Sequence, residues 1–185
     1  MWQGTQSEPL HLHNQGQDEH DNRRFVLRDQ DDFERLLHYA LQEEAYDGHK
    51  VAGDFLVAYK ADFACWLSYP QTGSPIWNQP GRNNARISIA VFDRDDLHMV
   101  HDLTVCVTVI DEAGNLVGTN PHPFLYRPHH HQYGANWELP GDGRYTLRVQ
   151  IEAPAFLSAS SGKPYASPVT VDFPNVEVCT GHMVS

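Results

Sequence analysis

Lysine is scarce: Lys50, Lys60 and Lys163 are the only three in 185 residues, and the formal net charge is −11. With no basic stripe to follow a phosphate backbone, a nucleic-acid partner is disfavoured. Cysteine is nearly as scarce. Cys65, Cys106 and Cys179 have no CxxC spacing, which removes zinc-ribbon and thioredoxin readings. One disulfide with a free thiol and three buried thiols both stay open. No run of eighteen apolar residues exists, so membrane insertion is not expected. The opening MWQGTQSEPLHLHNQ lacks a basic start and an apolar stretch, so it does not read as a secretory signal. GxSxG, HExxH and GxGxxG are all missing, and so is the calcium-loop pattern DxDxDG with its distal Glu. No catalytic template survives, and no enzyme is expected.

What is present begins with a 41% apolar content, enough for the core of one domain. Twelve histidines raise metal or proton chemistry. Residues 1–22 are polar and without periodicity, and read as a flexible arm carrying His11, His13 and His20. Residues 23–50 hold the one convincing helix. In RDQDDFERLLHYALQEEAYDG, Phe33, Leu36, Leu37, Ala40 and Leu41 recur at helical spacing, with aspartates at the start and Gly48 as terminator. That stripe must dock on the following domain or on a partner subunit, while His38 lies off it.

From residue 51 to 180 the period becomes two. Phe55, Val57 and Tyr59 alternate, then Ile87, Ile89 and Val91, then Leu103, Val105, Val107 and Val109, then Tyr145, Leu147, Val149 and Ile151. VTVDF and VEV close the series before a 181–185 tail. About seven short strands, broken by Gly, Pro, Asn and Asp turns, predict an all-β, antiparallel, immunoglobulin-like β-sandwich with an added N-terminal helix. Trp66 and Trp77 frame a Pro/Gly loop at one end.

Two clusters carry candidate ligands. PHPFLYRPHHHQYGANW places His122, His129 and His131 on a proline-stiffened loop. In extended backbone His129 and His131 share a face, and His122 joins from the other limb. DRDDLHMVHDL offers His98, Met99 and His101, imidazoles with a soft thioether, a mixture suited to copper. Either cluster also reads as a polar surface loop.

QYGANWELPGDGRYTLRVQIEAP, from Gln132 to Pro154, resembles the C-terminal half of the small periplasmic iron-transport proteins. HDLTVCVTVIDEAGNLVGTNPHPF and PYASPVTVDF are similar to other strands of that family, so the resemblance spans residues 52 to 180. It implies immunoglobulin-like dimers that bind copper and iron beside a membrane iron permease, in a periplasmic or extracellular setting. The family's ligand positions fall at Gln132, Leu125, Arg86 and Ser88, and its late histidine has no counterpart in FLSASSGKPY. The scaffold is retained and the usual ligands are not. The expected function is a non-catalytic carrier of a divalent transition metal (copper, iron or zinc), with exposed imidazoles of the 122–131 loop as ligands. The alternative is a metal-free sandwich that serves as an interaction or assembly module.

Overall fold

The computed structural model describes residues 45–69, 76–126, 131–153, 162, 165 and 167–183. The 23–44 portion of the expected helix, the 1–22 arm and His129 lie outside them. Eleven strands occur among the described residues: β1 (Gly48–Ala52), β2 (Phe55–Phe63), β3 (Leu67–Tyr69), β4 (Ile76–Asn78), β5 (Ala85–Asp93), β6 (Val105–Asp111), β7 (Leu116–Pro121), β8 (Phe124–Tyr126), β9 (His131–Trp137), β10 (Gly143–Ile151) and β11 (Val169–Val178). A five-stranded sheet of order β1-β2-β5-β9-β8 faces a four-stranded sheet of order β11-β10-β6-β7, with β3-β4 as a separate hairpin. All these strand pairs are antiparallel.

The alternation read from sequence builds the space between the sheets. In β10 Tyr145, Leu147, Val149 and Ile151 are buried, while Arg144, Arg148 and Gln150 face water. They meet Ile87, Ile89, Val91 and Tyr133 from the opposite sheet. Each such side chain removed from water stabilises the fold by about 1.5–3 kcal/mol before ordering costs. Tyr145 Oη donates to the Gly141 carbonyl at 2.7 Å, a tyrosine corner that locks the turn into β10.

Three expectations are corrected. Strand β5 is buried on both faces, so one wet face does not describe the centre of the larger sheet. VTVDF and VEV are one strand, β11, which continues through Pro174 and Asn175, the latter at φ 58°. Gly48 opens β1 and lies opposite Tyr59. A Cβ there would meet the Tyr59 ring at 2.7 Å, so its glycine serves close approach in a strand. Residues of the 181–185 tail are tied to the frame, since the Gly181 carbonyl accepts from Ala64 N and Met183 N donates to the Ala64 carbonyl. None of the three cysteines forms a disulfide: Cys65 is buried between β2 and β3, Cys106 is half-buried and Cys179 is exposed. No helix among the described residues is long and apolar enough to cross a membrane.

Candidate functional site

The loop from β5 to β6 carries His98, Met99 and His101, and its shape is imposed at several points. Leu97 N donates to the Asp93 carbonyl at 2.9 Å, and Asp93 N donates to the His98 carbonyl at 2.8 Å. The Asp93 carboxylate accepts from Asp95 N at 2.9 Å and from buried Tyr165 Oη at 3.0 Å. Leu97 and Asp102 flank the histidines at φ 59° and 58°. Non-glycine residues hold this left-handed conformation at a cost, so the surrounding contacts must enforce it. The Leu97 side chain is buried, which anchors the first of the two.

The strongest clamp comes from β9. Tyr133 is fully buried; its Oη donates to the Val100 carbonyl at 2.8 Å and accepts from Leu103 N at 3.1 Å. The two residues between those contacts, His101 and Asp102, form the corner. Two positions before Tyr133 in β9 stands His131, exposed at the strand's start. The clamp therefore brings His101 beside His131, with ring centroids 6.3 Å apart and planes at 79°. Phe124 forms the wall below them. It meets the His101 ring edge-on at 4.9 Å and lies parallel to His131 at 6.2 Å.

One ring from each of the two sequence clusters thus lies beside the other. An ion about 2 Å from each imidazole nitrogen sets two ligating ring centroids about 5–6 Å apart. The observed 6.3 Å lies just beyond that range, and both residues are exposed. Among the described residues no group of three or more His, Cys, Asp or Glu side chains is arranged to hold an ion, so the arrangement here is a two-imidazole one.

The other candidates fall elsewhere. His98 is largely exposed and pairs with Asp96 at 3.2 Å. Met99 is partly buried against both apolar clusters, and its backbone bridges to Phe92. Its thioether thus has a packing role. His122 departs from the exposed imidazole expected of it, being 1% exposed. His122 N donates to the Val105 carbonyl, which turns the side chain inward after β7. Trp137 Nε1 donates to its Nε2 at 3.4 Å and its Nδ1 lies 3.2 Å from the Asn120 carbonyl. Burial lowers its pKa to about 4, partly opposed by the carbonyls of Asn120 and Ile87. Both nitrogens are engaged inside the core, so His122 is not presented to an ion in solution. His129 lies outside the described residues.

The positions where the resemblance places the family's ligands do not fit a cation. Arg86 donates to Asp62 Oδ2 at 2.8 Å and to Cys65 Sγ at 3.5 Å. Arginine has no acceptor atom and keeps its charge. Leu125 is buried with Cys65 and Leu67, and Leu125 Cδ1 lies 2.9 Å from where a Cβ on Gly134 would stand. Gln132 is buried as well, and Ser88 Oγ has no hydrogen-bond partner. A buried guanidinium and an aliphatic plug replace the donors there. Sequence reasoning missed Tyr133 and Phe124, because their effect depends on which loop lies across the strand.

No protein-family model matches the chain, and no curated protein sequence matches it. Solved structures do. FetP of uropathogenic E. coli strain F11, recombinantly expressed in the periplasm of E. coli, has a TM-score of 0.55 at 12% identity, covering 73% of this chain and 95% of its own. Copper-reconstituted P19 from Campylobacter jejuni has a TM-score of 0.55 at 12% identity, with 74% and 96% covered. A copper-bound variant of the same P19 has a TM-score of 0.56 at 13% identity, with 74% and 96% covered. The chain has the all-β sandwich fold of these proteins along nearly their whole length.

Proposed function

We propose that this protein, on the P19-like frame, is a non-catalytic binder of a transition-metal ion, and that His101 and His131 are the core of its site. The observation that carries the reading is the 6.3 Å approach of two exposed imidazoles from segments thirty residues apart in sequence. Imidazole suits copper, zinc or iron, and the net charge of −11 raises the local concentration of cations near the surface. His129 completes the ligand set from the same segment, with His98 and Met99 as neighbours on the facing loop. His122, buried against Trp137, is not one of the ligands. Self-association, a periplasmic or extracellular setting and exchange with a membrane permease belong to the same reading, by likeness to the proteins of this fold.

Both P19 structures are of copper-loaded protein, which makes copper the first ion to test. Chelator-stripped full-length protein, titrated with Cu(II) and separately with Zn(II) in a calorimeter, binds one equivalent more tightly than about 10 μM, an affinity of roughly 7 kcal/mol. His131→Ala and His101→Ala should each remove that binding. Absence of stoichiometric binding leaves the second reading, a metal-free sandwich acting as an interaction module. The lack of a three-donor group among the described residues is the observation that favours that alternative.

A further inference from the structure

The larger sheet has a second apolar face, on the side away from the sandwich core. Along β2 and β5, Phe55, Val57, Ile89 and Val91 point inward, and the residues between them point outward. Those outward residues are Leu56, Ala58, Ala90 and Phe92, which are 0–6% exposed. They form one cluster with Leu97. The outer face of a sandwich sheet is ordinarily solvated and polar. Here it is apolar and closed to water, yet the other described apolar side chains packed against it are only Tyr46 and Met99.

We propose that the cover is this chain's own amphipathic segment, with Phe33, Leu36, Leu37, Ala40 and Leu41 seated on the Leu56–Ala58–Ala90–Phe92 face. Three observations select that occupant. First, the face is shaped for a helix. Ala58 pairs with Ala90 and Leu56 with Phe92 across β2 and β5, so a shallow alanine floor lies beside a raised edge. A stripe of nine helical residues runs about 13 Å, and the two-residue step between the pairs spans roughly 7 Å, so both pairs and Leu97 lie under one stripe. Second, the chain leaves from this face. Tyr46 meets the Phe92 ring edge-on at 6.4 Å. Asp47 then fixes the route into β1, its N donating to the Tyr59 carbonyl at 2.9 Å and its carboxylate accepting from Ala61 N at 2.7 Å. Third, Ala45 is left-handed at φ 47°, the conformation in which helices commonly end. It sits four residues past Leu41, where the apolar stripe ends. The stripe read from sequence and the sheet face are both apolar, and the turn at Ala45 lies between them in the chain.

The proposal is independent of the metal reading. It is tested on full-length protein in which Ala and Leu methyl groups are isotope-labelled. Cross-relaxation is expected between the methyls of Leu36, Leu37 or Leu41 and those of Ala58 or Ala90. A sample mixing labelled and unlabelled copies should show none of these contacts between copies. Contacts only between copies would assign the face to a second chain and overturn the proposal, and contacts in neither sample would overturn it too. Leu37→Asp should lower the Tm, whereas His38→Asp, off the stripe, should leave it nearly unchanged. Equal effects would contradict the placement of the stripe.

Discussion

His122 shows how one side chain's surroundings decide its chemistry. Its neighbours Pro121 and Pro123 look like a stiff surface loop in sequence, but a single backbone hydrogen bond to Val105 rotates the ring into the core. Burial then holds its pKa near 4, below the ordinary value of about 6.5. The sign follows from proton counting. Between pH 6.5 and 4 the unfolded chain takes up a proton that the native state refuses, so stability is full above 6.5 and falls as pH drops toward 4. Below that the native ring also protonates and this loss stops. The whole effect is about 3 kcal/mol. Urea unfolding of the parent and of His122→Phe at pH 7 and pH 4.5 isolates it, because titrating groups common to both cancel in the difference. The parent should lose more stability than the variant on acidification. Parallel losses would contradict a buried neutral imidazole.

At the scale of elements, the site is one strand holding one loop. Tyr133 on β9 makes two hydrogen bonds to the 94–104 loop through one hydroxyl. Removing the hydroxyl leaves the Val100 carbonyl and Leu103 N short of a partner in the interior. Unmet buried groups cost about 1–3 kcal/mol each. Tyr133→Phe should therefore lower stability by a few kcal/mol, measured by denaturant unfolding. It should also weaken metal binding several-fold although no ligand is touched. Unchanged affinity in a folded variant would show that the loop is held by other means. Gly134 makes a second element-scale test. A methyl there meets Leu125 Cδ1 at 2.9 Å, so Gly134→Ala should cost about 1–3 kcal/mol through overpacking. A thermal melt equal to the parent's would mean that Leu125 moves aside freely.

At the scale of the molecule, the sequence was legible where physics is local. Period-two burial in β6 and β10 announced the sandwich, and the Gly, Pro, Asn and Asp turns between strands marked its breaks. The buried second face of β5 was not legible, since ISIAVFD reads the same whether its small residues face water or a covering element. Gly48 was misread as a helix stop because its purpose, room for the Tyr59 ring, lies across a strand pair. The candidate site was half legible. Residue type marked His101 and His131, but only the Tyr133 clamp on the loop, through contacts 30 and 33 residues apart, sets them side by side. The same residue-type signal also marked His122, which the fold turned inward. Histidine counting therefore finds donors and cannot tell which of them the frame presents.

The most direct test follows the histidine ring nitrogens by NMR while one equivalent of Zn(II), a diamagnetic stand-in for copper, is added to stripped protein. His101 and His131 should shift together and saturate at a single equivalent, while His122 stays where it was. Ring signals of His101 and His131 that do not move, or that drift independently without saturating, would contradict the account.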